Sequence, residues 1–216
     1  MQTMHAQAAM TPPACSTDGI ATSKRRFYDV ANAVWLVKVF PGEFYVSNKK
    51  DEVLVTVLGS CVSACIRDCR GGFGGMNHFL LPEGESGDGQ GDSARYGNFA
   101  MEKLINELIK QGCPRERMEA KVFGGASVIE SSIAVGSRNT EFVLRFLQEE
   151  GIACVAHDLG GLHPRRIQYE PTTGRVVRRL LQTGESALIA REEKNYAGRL
   201  SSVPTAGDIE LFGERT

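Results

Sequence analysis

The segment from Val55 to Pro82, VTVLGSCVSACIRDCRGGFGGMNHFLLP, constrains the fold more than any other part of the chain. Its apolar residues alternate with small polar ones and cysteines, and this period of two predicts a β-strand over 61–67. The RDCRGG sequence at 67–72 has the aspartate and glycine content of a turn. The run 73–81 then predicts a returning strand, so we expect an antiparallel β-hairpin.

A hairpin whose turn is centred between Cys69 and Arg70 has a defined register. The numbers of directly opposed residues then sum to 139, which sets Cys61 opposite His78. Directly opposed residues lie on one face of the hairpin, with Cβ atoms about 5 Å apart. We therefore expect Cys61 and His78 to be cross-strand neighbours at an accessible opening.

A cysteine beside a histidine can serve as a nucleophile, because a nearby imidazolium lowers the thiol pKa from about 8.5. The thiolate attacks a carbonyl carbon, and the histidine then protonates the leaving amine. A third group usually orients the histidine; Thr56 and Ser60, close to Cys61 in sequence, and Asn77, next to His78, are the candidates. The competing interpretation is that Cys61 only fills the core, as most strand cysteines do.

Two glycine-containing segments are candidates for positioning a substrate. Backbone N–H groups around Gly59, Ser60 and Cys61 suit an oxyanion, since glycine permits the tight turn that is needed. Gly124 and Gly125 follow a predicted strand and favour close backbone approach beside the site. Neither VFGGAS (122–127) nor GGFGG (71–75) matches a Walker loop or a GxGxxG motif.

Metal binding is a weaker interpretation of the same residues. Cys61, Cys65 and Cys69 form CxxxCxxxC, but cysteine-bound clusters usually include CxxC, and the alternation favours a strand over a helix. The HDLGGLH segment at 157–163 has two histidines and an aspartate without a further ligand at fixed spacing. We expect neither a metal nor another cofactor.

The remaining patterns predict a mixed domain with tails. A helix is expected from Asp92 or Ser93 to about residue 111, with Met101, Leu104, Ile105, Leu108 and Ile109 as its buried stripe. A second helix, capped by Ser137 or Asn139, is expected to end at Gly151. Strands are expected at 43–46, 53–58, 120–123 and 152–156, and a hairpin at 166–181. We expect a flexible extension over 1–27, a domain over 28–190, a flexible loop over 82–91 and a tail over 191–216, in which Ile209, Leu211 and Phe212 are candidates for docking.

Composition excludes several classes of protein. The chain has 216 residues, a net charge of −1 and 42% hydrophobic residues, which fits one ordinary domain and argues against nucleic acid as a partner. No apolar run approaches the roughly 20 residues of a membrane span, and the N-terminus lacks a secretory signal. We expect a cytoplasmic protein whose six cysteines are mostly free thiols.

A set of segments over residues 43–182 occurs in a specific order. These segments are TVLGSCVSACIRD (56–68), GGMNHFLLP (74–82), ARYGNFAMEKLI (94–105), KVFGGAS (121–127), VGSRN (135–139), HDLGG (157–161) and TGRVVRRLL (173–181). This combination resembles the CheD family, the chemoreceptor glutamine deamidases of bacterial chemotaxis.

The resemblance implies a Cys–His–Thr catalytic set. Cys61 is then the nucleophile, His78 the base and acid, and Thr56 the group that orients His78. The implied fold class is α/β, a layered α/β/α sandwich with mixed or antiparallel sheets and hairpins, similar to the catalytic domains of deamidating toxins.

The implied reaction converts specific glutamines on the cytoplasmic helices of methyl-accepting chemoreceptors to glutamate. A thioester at Cys61 forms as ammonia leaves, and water then releases the product. The resemblance adds receptor methylesterase activity and binding of the phosphatase CheC, both found in some relatives, as expectations. The alternative function is a chemotaxis adaptor that binds receptors or CheC with little catalysis.

Overall fold

The computed structural model describes residues 25–81, 92–128 and 133–201. Residues 1–24 of the predicted extension (1–27), the predicted loop at 82–91 and the candidate docking segment at 209–212 lie outside these ranges, whereas residues 26 and 27 of that extension belong to a strand. Within them the strands are β1 Arg26–Asp29, β2 Val34–Lys38, β3 Phe44–Ser47, β4 Glu52–Leu58, β5 Val62–Asp68, β6 Gly74–Asn77, β7 Met118–Gly124, β8 Ala153–Leu159, β9 Arg165–Tyr169 and β10 Val176–Leu180. The described helices are α1 Asp92–Lys110, α2 Ile133–Glu149 and α3 Thr183–Ser201. None of them is long and apolar enough to cross a membrane.

The strands form two mixed sheets of five strands each. Sheet 1 has the order β1-β2-β4-β9-β10, and sheet 2 has the order β3-β6-β5-β7-β8. One neighbouring pair in each sheet is parallel, β2 with β4 and β7 with β8, and the other pairs are antiparallel. The predicted strands and the predicted hairpin at 166–181 are confirmed.

Alternate side chains of β5 point to opposite sides of sheet 2 and belong to two different cores. Val62, Ala64 and Ile66 face α1 and α2 and form one core with the apolar stripes of those helices. Cys65 belongs to a second core that lies between the two sheets, together with Met76 of β6 and residues of β4 and β9. The layers therefore run from helices to sheet 2 to sheet 1, which confirms the predicted layered α/β class.

The β5–β6 hairpin forms, but the predicted register is wrong by two residues. Cys65 pairs with Met76, so opposed residues sum to 141 rather than 139. The turn spans four residues instead of two, because the Asp68 carboxylate accepts a hydrogen bond from Arg70 N–H at 2.9 Å and the ladder closes from Asp68 to Phe73. A shift of two residues preserves which residues share a face.

The helices differ from the predictions in three places. On α1 the predicted stripe is buried except for Ile109, which is 41% exposed at the edge of the stripe. The second helix begins at Ile133, so Ser137 and Asn139 lie inside it and do not cap it. The sequence did not predict α3, which crosses the expected boundary between residues 190 and 191. Its buried side chains Ile189, Glu193 and Tyr196 lie on one face.

Candidate active site

The loop between β4 and β5 holds Cys61, and neighbouring elements fix all of its carbonyl groups. Gly59 O accepts the Ala126 N–H at 2.7 Å, and Cys61 O accepts the Gly125 N–H at 2.8 Å. Ser60 O accepts a hydrogen bond from Asn139 Nδ2 at 2.8 Å. The residues after β7 and a side chain of α2 therefore hold this loop from behind.

Gly124 and Gly125 make this close approach possible. Gly124 has φ of 117°, and a Cβ atom there would lie 2.1 Å from Cys61 O. Gly125 has φ of 67°, and a Cβ atom there would lie 2.3 Å from Thr140 Oγ1. Both positions need glycine for its conformation and for its lack of a side chain, as expected for close backbone approach beside the site.

The N–H groups of the same loop converge on one carboxylate. Gly59 N and Cys61 N donate to Glu193 Oε1 at 2.8 and 3.1 Å. Ser60 N and Ser60 Oγ donate to Glu193 Oε2 at 2.8 and 2.7 Å. Successive backbone N–H groups that share one anion form a concave anion-binding site. We call Gly59, Ser60 and Cys61, with these donors, the amide nest.

His78 lies beside this nest with its ring oriented by Thr56. The Thr56 hydroxyl is 2.8 Å from Val39 O, which only accepts, so the hydroxyl proton points there. Thr56 Oγ1 is also 2.7 Å from His78 Nδ1 and therefore accepts the Nδ1–H hydrogen bond. His78 Nε2 is left unprotonated, buried and without a hydrogen-bond partner among the described residues. The Thr56 hydroxyl thus selects the tautomer that a general base requires.

Cys61 and His78 come together although they are not directly opposed. The Cys61 sulfur, a His78 ring nitrogen and a Glu193 oxygen all lie within 4.8 Å of one another. The isolated bridge from Val62 to Phe79 continues the observed register, which makes Cys61 and His78 diagonal neighbours. The predicted proximity is therefore confirmed, whereas the predicted direct opposition is wrong.

Asn77 does not join this group. Its Oδ1 accepts the Ala64 N–H at 2.8 Å, and its Nδ2 donates to Ala100 O at 3.2 Å. Both ends of the amide are therefore engaged by β5 and α1, on the side of the sheet away from His78. Cys65, which lies four residues after Cys61, is buried between the sheets, and burial raises the pKa of its thiol.

The predicted accessible opening at Cys61 is absent from this state of the protein. Cys61 is 0% exposed, and burial, with a further contribution from the Glu193 charge, raises the pKa of its thiol well above the usual value. Burial lowers the pKa of His78 to about 4. Both groups are therefore neutral at pH 7 in this state, in which Glu193 of α3 lies against the Cys61 loop.

A second contact, next to the one that Glu193 makes, also holds α3 on the domain. Tyr196, one turn after Glu193, hydrogen-bonds through its hydroxyl to the Tyr96 hydroxyl on α1. Its ring lies against Gly42, where a Cβ atom would come within 2.6 Å of the Tyr196 hydroxyl. A surface pocket adjoins this contact and reaches His78; it is lined by Gly42, Glu43, Phe44, His78, Tyr96, Phe99, Ala100 and Lys103.

Sequence reasoning missed three contributors to the site. Asn139 lies in the VGSRN segment, where the sequence predicts a helix cap, whereas its Oδ1 accepts the Leu81 N–H at 2.9 Å. Glu193 and Tyr196 lie in a polar stretch that carries no local signal of burial. Glu193 contacts residues 132 to 134 positions away, and such contacts appear only in three dimensions.

Cys61, His78 and Glu193 also form a group that a metal ion would suit by residue type. The carboxylate, however, already accepts four hydrogen bonds from the nest, and the thiol has a raised pKa. Donors that surround an anion fit an oxyanion better than a cation. The amide nest is therefore the chemical feature that the site offers.

The same residues lie in a chain that aligns with known proteins over most of its length. The chain is 51% identical over 181 residues to the probable chemoreceptor glutamine deamidase CheD of Methylobacillus flagellatus, which covers 81% of this chain and 88% of the relative. This chain belongs to the CheD family. The family model for CheD chemotactic sensory transduction also matches, at residues 80–180.

Other members of the CheD family show the same extent of similarity. The probable chemoreceptor glutamine deamidase CheD of Rhodopseudomonas palustris is 47% identical over 199 residues, covering 91% of this chain and 93% of its own. That of a Janthinobacterium species is 54% identical over 181 residues, covering 81% and 88%. A solved protein of Bacillus licheniformis, 13% identical over 55% of this chain and 49% of its own, has a TM-score of 0.36, which is too low to support an argument.

Proposed function

We propose that this chain is a cysteine-dependent protein-glutamine deamidase that acts on chemoreceptors. The names of its relatives indicate the substrate class. One observation supports the chemistry above all others: an amide nest that binds a carboxylate lies next to a cysteine and a histidine whose tautomer is set by Thr56. We assign Cys61 as nucleophile, His78 as base and acid, and Thr56 as the positioning residue.

His78 Nε2 is the group that takes the Cys61 proton in this mechanism. It is unprotonated in the neutral ring, because Thr56 Oγ1 engages the Nδ1–H. When α3 withdraws, the Glu193 charge that raises the thiol pKa is removed and water enters. Loss of the charge favours the Cys61 thiolate, whereas the imidazolium, which Glu193 also stabilises, is then solvated by the entering water. The thiolate attacks the substrate carboxamide.

The amide nest stabilises the oxygen that becomes negatively charged. Attack by the thiolate forms an S–C bond and moves the carbonyl electrons onto oxygen, which Gly59 N and Cys61 N are placed to receive. His78 gives its proton to the amide nitrogen, the C–N bond breaks and ammonia leaves. Water, deprotonated by His78, then breaks the thioester and yields glutamate and the free thiol. Preorganised donors of this kind contribute about 3–4 kcal/mol each to transition-state stabilisation.

Receptor methyl esters fit the same sequence of steps, with methanol leaving in place of ammonia. Methylesterase activity therefore stays a prediction, as does binding of CheC. Since the proposed receptor glutamines lie on cytoplasmic helices, the proposal also places the chain in the cytoplasm.

Mass spectrometry of a chemoreceptor co-expressed with this chain tests the proposal. Each converted glutamine gains about 1 Da, because an amide is exchanged for an acid. We expect conversion with the wild-type chain and with Cys69→Ala, a matched control at an exposed cysteine in the β5–β6 turn, and none with Cys61→Ala. Receptors that the wild-type chain binds but never converts would favour the adaptor function instead.

A further inference from the structure

We propose that α3 occupies the substrate groove as an internal mimic of the deamidated product, so that the groove is a binding site for a helix bearing one glutamine or glutamate. This inference rests on the proposed function, and it adds an internal competitor for the substrate and a side-chain requirement on the substrate helix. A substrate helix takes the place of α3 and presents its side chain to the amide nest.

The chemistry of Glu193 supports the product comparison. Its side chain is that of the product of glutamine deamidation, and both of its oxygens accept hydrogen bonds from the nest. A carboxamide in the same pose would turn an NH₂ group towards a donor, Ser60 N–H or Cys61 N–H. The nest in this closed state therefore favours the acid over the amide, as a site that holds product does.

Burial of Glu193 would be costly without this function. A buried carboxylate needs compensating partners, and those of Glu193 are three backbone N–H groups and a hydroxyl, all neutral. These donors belong to the loop that carries the proposed nucleophile. A carboxylate needed only to dock α3 would have no reason to fill the position that the substrate carbonyl requires.

The face of α3 that meets the domain defines what a substrate helix needs. Ile189, Glu193 and Tyr196 are buried at i−4, i and i+3, and Leu200 at i+7 packs partly against the same core. Tyr196 occupies a recess between Gly42 and Tyr96. We therefore expect a good substrate to carry a large, partly polar side chain three residues after its target glutamine.

The state of Cys61 gives a test that does not require turnover. With α3 in place, the thiol is fully buried and its pKa is raised by burial and by Glu193. Glu193→Gln removes the charge and sets an amide NH₂ against a donor, so α3 should leave the groove more often. Iodoacetamide alkylation of Cys61, resolved by peptide mass spectrometry, should become at least tenfold faster in this variant at pH 7.

Matched variants separate this effect from general loosening. Glu192→Gln makes the same chemical change at an exposed neighbour on α3 and should leave the alkylation rate unchanged. Tyr196→Phe removes only the hydrogen bond to Tyr96 and should accelerate alkylation by a smaller factor. An unchanged rate at Cys61 in folded Glu193→Gln, with the fold checked by circular dichroism, would overturn the inference.

Receptor conversion tests the same inference through activity. Glu193→Gln should raise kcat/KM for receptor deamidation several-fold, because the competing internal segment is weakened. A decrease, or no change, would assign Glu193 to catalysis or to structure and overturn the inference. If no variant converts a receptor, the proposed function fails, whereas the alkylation rates still decide whether α3 closes the groove.

Discussion

The two ends of strand β4 each lie next to a buried carboxylate, and the two carboxylates have different partners. At the start of the strand, Glu52 pairs with Arg26 at 2.9 Å and Lys49 at 3.2 Å and accepts a hydrogen bond from Ser47 at 2.6 Å. Beyond its end, Glu193 meets only neutral donors of the amide nest in the hydrogen bonds that hold it. One site neutralises its charge, and the other presents donors to a charge supplied by a separate helix.

This difference separates a structural carboxylate from an exchangeable one. Glu52 and its partners are all within residues 26–52, so they stay together whenever β1 to β4 are folded. Glu193 comes from α3, which belongs to neither sheet, and under the proposal above α3 leaves while both sheets remain intact. A nest of N–H groups can bind an oxyanion from another molecule, whereas Glu52 is paired with cations of its own part of the chain.

Substitutions at the two ends of β4 should differ most in their effect on the rate of receptor deamidation. His78→Ala removes the proposed base next to the amide nest and should lower the receptor deamidation rate by about 10³-fold. Glu52→Gln, at the other end of β4, should leave the rate within about twofold, because it makes no contact with the site. Ammonia release with purified receptor measures both rates, and a His78→Ala variant with normal turnover would remove His78 from the mechanism.

The pH dependence of the free energy of unfolding should reflect His78, at the Cys61 end of β4. The pKa of His78 falls from 6.5 to about 4 in the folded protein, so the folded state binds fewer protons than the unfolded state between these values. Its contribution to stability is therefore present above pH 6.5 and lost as the pH falls to 4, a change on the order of 3 kcal/mol. Urea unfolding of wild-type and His78→Gln protein at pH 7 and pH 4 isolates this term, and parallel losses in the two proteins would contradict it.

The free energy of unfolding should depend more on Glu52 than on Glu193, whereas activity depends on the Glu193 end of β4. Glu52→Ala removes hydrogen bonds to charged groups and should lower the free energy of unfolding by about 2 kcal/mol. Glu193→Ala should lower it less, because water can solvate the amide nest once α3 has moved. Urea denaturation at pH 7 compares the two variants. An equal or larger loss for Glu193→Ala would mean that α3 is as structural as the ion pairs at Glu52.

The smallest expected effect concerns the positioning residue within β4 itself. Thr56→Val removes the acceptor for His78 Nδ1–H and should lower kcat/KM about tenfold, which corresponds to one hydrogen bond. Thr56→Ser should restore activity, because it keeps the hydroxyl. The pH–rate profile should shift in Thr56→Val and return in Thr56→Ser. A variant that loses activity without any shift would indicate a packing defect only.

Local patterns predicted most of the fold. Alternation in β5 and the apolar stripes of α1 and α2 are short-range signals, and the structure follows them. The register of the β5–β6 hairpin depended on the turn, and the Asp68 side chain stabilises a four-residue turn that composition alone does not distinguish from a two-residue one. α3 was missed because most of its exposed face is charged and its buried face contains Glu193.

The candidate site was predictable only in part, for similar reasons. The proximity of Cys61 and His78 followed from a hairpin and survived a wrong register, because a shift of two residues keeps the same face. Thr56 was one of three candidates from the sequence, with Ser60 and Asn77, and only the resemblance to a family distinguishes it from the other two. Asn77 was chosen for its nearness to His78 in sequence, yet adjacent residues of a strand point to opposite faces. Glu193 depended on a contact that no local pattern encodes.

The hydrogen bonds that hold the carbonyl groups of the β4–β5 loop also set the direction of its N–H groups, which point to the other side of the loop. In a trans peptide the C=O and the following N–H point in opposite directions. Ala126 N–H and Asn139 Nδ2 donate hydrogen bonds to the carbonyl groups of Gly59 and Ser60. The N–H groups of Ser60 and Cys61 therefore point in the opposite direction, towards the candidate site. The part of the chain that polarises a bound carbonyl is thus separate from α1 and β3, which shape the groove. If a substrate helix binds in this groove as proposed, substitutions there should change which helix is accepted without weakening the polarisation of its carbonyl group.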